Sequence, residues 1–198
     1  MSDARLEFPV EGLSDGVVRL RPMADGDVDA VVAACQDPEI PRWTRVPTPY
    51  GEAEARAWLA EQGTRRDAGS ALELVVVEEE SGQLVGSVAI ADIVWQEGRA
   101  DLGYWVAKGA RGRGIATRAV GLLARWALES LPIDRLQICA EPENAASRRV
   151  AERCGFTFEG VLRSFIVNKG TRRDMAMYSL LRAEVAQGQG PKRGSYAE

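Results

Sequence analysis

The chain has 198 residues, of which 45% are apolar and 27% charged, proportions typical of one globular domain. Its 29 acidic and 25 basic side chains give a formal net charge of −4, which argues against the positive field of a general nucleic-acid-binding protein. The chain contains no histidine, which excludes Ser-His-Asp and Cys-His nucleophile systems and imidazole metal sites.

The cysteines and the N-terminal segment indicate the cellular setting. Cys35, Cys139 and Cys154 are odd in number and widely spaced, so neither a disulfide framework nor a zinc ribbon is expected. The first twelve residues are acidic and lack the apolar core of a signal peptide. No apolar run approaches the roughly 18 residues that a membrane helix needs. We therefore expect a cytoplasmic protein without a metal site or a membrane partner.

The first half of the chain predicts a strand, two helices and three further strands. GVVRLRPM, residues 16–23, alternates apolar and basic residues as a half-buried strand does. Asp25 can cap a helix whose apolar positions are Val28, Val31, Val32 and Cys35. A loop rich in proline and aromatic residues precedes a helix with Ala55, Trp58 and Leu59 on one face. The runs ALELVVVEE, LVGSVAIADIVW and RADLGYWV, separated by short turns, predict three antiparallel strands.

The second half predicts a long helix, a strand, a second helix and two strands. The long helix follows the turn KGARGRG, and its apolar positions are Ile115, Ala119, Leu122, Leu123, Trp126 and Ala127. LQICAE is a buried strand, residues 144–154 form a helix ended by Gly155, and FTFEGVLRSF and DMAMYSLL are strands. The end of the chain is poor in apolar residues, so we expect one domain over residues 1–185 and a mobile tail over 186–198.

The segment Arg111-Gly-Arg-Gly-Ile-Ala116 is the most informative motif. It lies between a predicted strand and the long helix, where free backbone N–H groups and the helix dipole bind anions. It lacks the Gly-Lys-Ser/Thr ending of a Walker motif, and Ala116 breaks the GxGxxG dinucleotide fingerprint. ATP and NAD are therefore disfavoured as ligands. A plain glycine-rich turn with two solvated arginines is the alternative.

This Arg-x-x-Gly-x-Ala segment resembles the pyrophosphate-binding motif of the GNAT acetyltransferase superfamily. Asn144-Ala-Ala-Ser147, RRVAERCGF, DLGYWV and FEGVLR are similar to segments of its RimJ/RimL-like branch, so the resemblance runs from about Val17 to Leu181. It implies a mixed α/β fold, in which helices and a mostly antiparallel sheet are combined (the α+β class). A mixed, mostly antiparallel sheet of about seven strands would be flanked by about four helices, with the fourth and fifth strands splayed. It also implies acetyl-CoA as the acyl donor.

The resemblance places the donor in the splay and on the helix after it. The implied binding residues are Trp105, Val106, Arg111, Gly112, Arg113, Gly114, Ile115, Ala116, Thr117, Asn144 and Ser147. The Val106 N–H would stabilise the oxyanion of the reacting thioester, and unpaired backbone groups at this strand end suit such a ligand. An ordinary strand end is the alternative.

The resemblance assigns Ser147 the task of protonating or stabilising the departing thiolate, and Asn144 that of orienting the pantetheine amides. Many relatives carry a tyrosine acid four residues before the Gly-Phe glycine, but Ala151 stands there in this chain. Ser147 must then substitute, or no acid is needed. A serine in the first turn of a helix can equally serve only as a local cap.

Without histidine, the attacking amine must lose its proton to a carboxylate, directly or through water, or react in its neutral fraction. Asp101 is the leading candidate because relatives carry an acid at this position, although alternation could direct it to solvent or to an arginine. Glu159 is second. Trp43, Tyr50, Trp95 and Asp101 are predicted to form the acceptor pocket, whereas Trp58 and Trp126 are predicted to be core residues.

The sequence thus predicts an N-acetyltransferase that moves acetyl from acetyl-CoA directly to a primary amine in a ternary complex. The amine would be a protein N-terminus or a small molecule, since fold does not fix the acceptor. A non-catalytic acyl-CoA-binding module is the alternative. The exposed edges of the sheet are compatible with pairing between two copies of the chain, so a homodimer is a further expectation.

Overall fold

The computed structural model describes residues 6–188 and 190–191. Within them, one eight-stranded sheet has the order β1-β2-β3-β4-β5-β6-β8-β7. The strands are β1 Leu13–Ser14, β2 Val18–Arg21, β3 Leu72–Glu78, β4 Leu84–Val94, β5 Arg99–Val106, β6 Arg135–Ala140, β7 Thr157–Asn168 and β8 Thr171–Leu181. Only β5 and β6 pair in parallel among these strands. The mixed, mostly antiparallel α/β fold expected from the sequence is confirmed.

Six α-helices flank the sheet in the described part of the chain. They are α1 Val28–Cys35, α2 Glu39–Trp43, α3 Glu52–Asp67, α4 Ile115–Ser130, α5 Ala145–Arg153 and α6 Arg182–Ala186. None of the described helices is long and apolar enough to span a bilayer. The sequence predicted about seven strands and four helices. The additional β1, α2 and α6 have two, five and five residues, which is too short for hydrophobic periodicity to show.

The C-terminal end differs from the expected boundary. Arg182–Ala186 form helix α6, whose Val185 is buried in the core. The expected mobile tail therefore starts inside a helix. Residues 189 and 192–198, most of that predicted tail, lie outside the described residues.

Two apolar clusters cover the two faces of the sheet, and β3 contributes to both. Leu74 and Val76 pack in the first cluster with α4. Val75 and Val77 pack in the second with α1 and α3. Because successive side chains of a strand point to opposite faces, a strand covered on both sides is apolar throughout, which explains the run Leu74–Val77.

Strands β5 and β6 separate soon after they meet. They pair only over Arg99–Asp101 with Arg135–Gln137, yet β5 continues to Val106 and β6 to Ala140. Their far halves remain paired to β4 and β8 on the outer sides. The sheet therefore contains the splay expected from the sequence, because β5 and β6 are the fourth and fifth of the predicted strands once the unpredicted β1 is left out of the count. Backbone groups face the opening between them.

Candidate active site

A cleft of about 970 Å³ passes through this splay. Its walls come from α1, α2, α3 and the loop between the last two, from β4, β5 and β6, from the start of α4, from α5 along its length, and from parts of β7 and β8. Most of the predicted site residues line it: Trp43, Tyr50, Asp101, Trp105, Val106, Arg111, Gly112, Gly114, Ile115, Ala116, Thr117, Asn144 and Ser147. The splay and the two helix starts thus open into one space.

The start of α4 forms the anion-binding end of the cleft. Gly112 and Gly114 have φ values of +74° and +75°, a conformation that other residues rarely adopt. The first helical hydrogen bond runs from Arg118 N to Gly114 O. The N–H groups of residues 115–117 therefore precede the hydrogen-bonded ladder, and no acceptor for them is found among the described residues. This cradle fits a pyrophosphate.

The two arginines of the motif are already engaged by acids. Arg111 Nη2 lies 2.6 Å from Asp37 Oδ2, and its Nε donates to Val106 O at 3.0 Å. Arg113 is paired with Glu78, and it is not among the residues that line the cleft. A phosphate contact from Arg113 would require this ion pair to open.

Helix α5 supplies two cations to the cleft. Arg149 and Arg153 stand one turn apart, are exposed and line the cleft. Neither makes an ion pair with another described residue. They are available to anionic groups of a ligand, because the planar guanidinium can donate two parallel hydrogen bonds to a carboxylate or a phosphate.

The backbone of β5 directs polar groups into the splay. Ala107 N donates to Val85 O on β4, and Gly86 lies opposite Val106 in the register. Backbone groups of an antiparallel strand point alternately to its two neighbours. The N–H groups of Tyr104 and Val106 therefore point away from β4 and into the opening. A Cβ on Gly86 would stand 2.5 Å from Trp105 O, so this glycine permits the close packing that holds the strand end.

The start of α5 places Ser147 against β5. Asn144 Oδ1 accepts a hydrogen bond from Ser147 N at 3.1 Å, so Asn144 caps the helix. Ser147 Oγ instead accepts a hydrogen bond of 3.0 Å from the Tyr104 hydroxyl. Ala151 is completely buried in the core. The side-chain hydroxyl of Ser147 thus lies in the cleft wall beside a tyrosine from another element.

Asp101 lines the cleft near the point where β5 and β6 separate. Its Oδ1 accepts a hydrogen bond of 2.5 Å from Gln137 Nε2. Burial raises the pKa of Asp101, and the Gln137 hydrogen bond partly opposes that rise. Glu159 accepts two bonds from Arg135, which hold its pKa down at about 2, and it does not line the cleft.

The five aromatic residues that the sequence assigned to the pocket or to the core have different positions in the structure. Trp43 and Tyr50 line the cleft on the side of α1–α3. The structure does not bring Trp95 to it, because the indole donates to Gly69 O at 2.8 Å and packs against the first core cluster. Trp58, predicted as core, both packs on the second cluster and lines the cleft. Trp126 lies in the core against Phe8.

Sequence reasoning missed Tyr104, Gln137 and the cleft-lining role of Cys139. Tyr104 lies in the DLGYWV strand, which resembles the family, but its partner Ser147 is on another element. The sequence therefore does not show their contact. Cys139 is half-buried, and burial raises its pKa to about 12. Among the described residues, no three His, Cys, Asp or Glu side chains are placed to hold a metal ion.

Comparison with known proteins gives consistent matches. Residues 18–157 match the family model described as "Acetyltransferase (GNAT) domain". The uncharacterized N-acetyltransferase p20 of Bacillus licheniformis is 30% identical over 168 residues, which is 84% of this chain and 94% of p20. YdaF of Bacillus subtilis (strain 168), provisionally named a ribosomal N-acetyltransferase, is 39% identical over 103 residues, 52% of this chain and 56% of YdaF. The structure of Mycobacterium smegmatis RimJ in complex with CoA-disulfide has a TM-score of 0.75 at 24% identity, covering 90% of this chain and 92% of RimJ, a likeness of fold.

Proposed function

The chain belongs to the GNAT acetyltransferase family and is an acetyl-CoA-dependent N-acetyltransferase, and on that premise we propose that it acetylates a primary amine by direct attack. One observation carries the proposal. The anion cradle of α4, the inward N–H of Val106 and the carboxylate of Asp101 all border the same cleft through the sheet. Donor and acceptor can therefore be bound together.

The donor side is formed by groups that fit acetyl-CoA. The N–H groups of residues 115–117, which have no acceptor among the described residues, suit its pyrophosphate, and Arg149 and Arg153 suit its remaining phosphate. Tyr104 and Val106 present backbone groups to the pantetheine arm. Val106 N–H would donate to the thioester oxygen as it becomes negative, in a cleft where a fixed donor is most effective.

The acceptor side is formed by Asp101 and the aromatic residues Trp43, Tyr50 and Trp58. Asp101 would take a proton from the amine nitrogen, directly or through one water molecule, as the nitrogen attacks the thioester carbon. The new N–C bond gives a tetrahedral intermediate whose oxyanion Val106 N–H would hold, and its collapse breaks the C–S bond with the electron pair going to sulfur. Ser147 would donate a hydrogen bond to that sulfur.

We propose two possible classes of acceptor amine for this reaction. YdaF is provisionally named for a ribosomal acceptor, and this supports a protein N-terminal amine here. A small amine is the other class. A cytoplasmic location and a homodimer stay predictions.

Thermal unfolding with candidate ligands is the first test. A ligand at one hundred times its Kd stabilises the protein by about 2.7 kcal/mol. We expect a shift of Tm with acetyl-CoA and CoA, but not with ATP or NAD. Gly114→Trp should abolish the shift because its side chain fills the cradle. Gly82→Trp is the matched control and should keep the shift, because Gly82 also has a positive φ, +67°, and lies in open space outside the cleft.

Turnover is then measured as thiol release with peptide N-termini and with small amines. Acetylation of either class supports the proposal. Binding of acetyl-CoA without turnover on any amine would instead identify a non-catalytic acyl-CoA-binding module.

A further inference from the structure

We propose that Tyr104 is a positioning residue for acetyl transfer, which orients the Ser147 hydroxyl so that its hydrogen points at the departing sulfur. The inference rests on the proposed function and adds a residue to it. It starts from one contact, the 3.0 Å hydrogen bond between the Tyr104 hydroxyl and Ser147 Oγ. The contact joins β5 to α5 across the wall of the cleft.

The direction of this hydrogen bond follows from the chemistry of the two hydroxyl groups. A phenol is more acidic than an aliphatic hydroxyl and is the better donor of the pair. The Tyr104 hydroxyl has a second acceptor at Ser147 O, 3.4 Å away. Both acceptors belong to Ser147, so the tyrosine hydrogen points at that residue.

A serine hydroxyl has one hydrogen to donate and two lone pairs. With one lone pair of Ser147 occupied by Tyr104, its hydrogen must point elsewhere, and no acceptor for it is found among the described residues. Asn144 Oδ1 accepts the backbone N–H of Ser147, and no bond from the Ser147 hydroxyl to Asn144 is found among the described residues. The hydroxyl hydrogen of Ser147 is therefore directed into the cleft, where a ligand atom can accept it.

The two faces of β5 place the Tyr104–Ser147 pair on one side of the strand and Asp101, the proposed base, on the other. Tyr104 and Val106 pack beside the first core cluster, and Trp105 packs beside the second. By alternation, Asp101 lies on the face of Trp105 and opposite Tyr104. The amine therefore approaches from one face while the thiol leaves toward the other. Val106 N–H points into the splay between them.

The step requires no proton transfer from the tyrosine. The amine nitrogen bonds to the carbonyl carbon, its proton goes to Asp101, and the C–S electron pair moves to sulfur. Sulfur accepts a hydrogen bond from Ser147, whose hydroxyl is polarised by the bond it accepts. Burial raises the pKa of Tyr104, which keeps the phenol neutral and therefore a donor.

The test is a double-mutant cycle in single-turnover reactions at saturating amine. Tyr104→Phe keeps the ring and removes the hydroxyl, so the acetyl-transfer rate should fall about fivefold to tenfold, the effect of one hydrogen bond. The KM for acetyl-CoA should stay within about twofold, because the hydrogen bond to sulfur forms only as the thiolate leaves. Ser147→Ala should lower the rate at least as much. In the Ser147→Ala background, Tyr104→Phe should have no further effect, because it acts only through Ser147.

The matched control is Tyr178→Phe. Tyr178 is fully buried, and its hydroxyl accepts from Arg148 and donates to Glu152, both on α5. This variant loses a tyrosine hydroxyl that holds the same helix but does not touch Ser147. It should lower Tm and leave the transfer rate unchanged, which separates positioning of Ser147 from general support of α5.

Each contrary result has a distinct meaning. An equal loss from Tyr104→Phe in both backgrounds, or no loss in the wild-type background, would overturn the positioning role. An unchanged rate in Ser147→Ala would overturn it as well, while leaving acetyl transfer intact. Absence of turnover by the unaltered protein would instead overturn the proposed function itself.

Discussion

The two largest influences on the carboxylate of Asp101 are burial and one hydrogen bond, with smaller effects from the charges of Asp92, which raises its pKa, and of Arg99 and Arg45, which lower it. Burial raises its pKa above the ordinary value near 4. The Gln137 amide, 2.5 Å away, favours the charged form and lowers the pKa. A base must be unprotonated to act, so the activity of the unaltered protein should fall as the pH drops through the pKa of Asp101.

Gln137→Met tests this balance. Removing the hydrogen bond takes away the largest of the influences that lower the pKa of Asp101, so this pKa rises and the acidic limb of the kcat/KM profile should move to higher pH. The pH profile is measured with the same amine for both proteins, because the ionisation of that amine then affects both profiles equally. Gln96→Met, at an exposed turn, should leave the limb in place. Coincident limbs for Gln137→Met and the unaltered protein would show that Asp101 is not the base.

At this scale the sequence is informative where chemistry narrows the choice. The absence of histidine directed attention to carboxylates, and Asp101 does border the cleft. Tyr104 and Gln137 could not be found in the same way. Each acts through a residue on another element, Ser147 on α5 and Asp101 on β5, and such contacts exist only once the sheet has formed.

Among the elements, α4 and α5 would divide the binding of the donor in the proposed function, with backbone groups from α4 and side chains from α5. The start of α4 offers N–H groups, whereas its neighbouring arginines Arg111 and Arg113 are paired with Asp37 and Glu78. Helix α5 offers Arg149 and Arg153, which make no ion pair with another residue that the structure describes. The side-chain contribution to phosphate binding should therefore come mainly from α5.

Replacing both Arg149 and Arg153 by alanine tests that division. The KM for acetyl-CoA should rise about tenfold or more, as expected for the loss of charge-assisted hydrogen bonds, while kcat changes little. The rise of KM with added salt should also become shallower than in the unaltered protein, since salt screens such attractions. Replacing Arg56 and Arg125, which do not line the cleft, changes the net charge equally and should leave KM unaltered. The same KM in both double variants would exclude α5 as the phosphate-binding element.

The elements that the sequence predicted well are the long ones with a regular apolar period. Helix α4, with its apolar face, and β3–β5, with their short turns, are examples. The parallel contact of β5 with β6 joins segments that α4 separates in the chain. Local patterns carry no information on such pairing, and the splay was anticipated only through resemblance.

For the molecule as a whole, the chemistry is limited by which nucleophiles the chain contains. It has no histidine, and Cys35 and Cys154 are buried while Cys139 is half-buried. Burial raises the pKa of Cys35 to about 11 and those of Cys139 and Cys154 to about 12. The thiolate is the reactive form of cysteine, so at neutral pH these side chains are poor acceptors for an acetyl group.

Acetyl transfer should therefore proceed without an acetylated enzyme. Initial rates measured over a grid of acetyl-CoA and amine concentrations should give intersecting reciprocal plots, because both substrates must be bound before the C–S bond breaks. Intact-protein mass spectrometry after incubation with acetyl-CoA alone should show no added acetyl group. Parallel plots together with acetyl on Cys139, the thiol that borders the cleft, would contradict direct attack. The contrast is informative because a covalent route would need a cysteine with a lowered pKa, and burial shifts the pKa of all three cysteines upward.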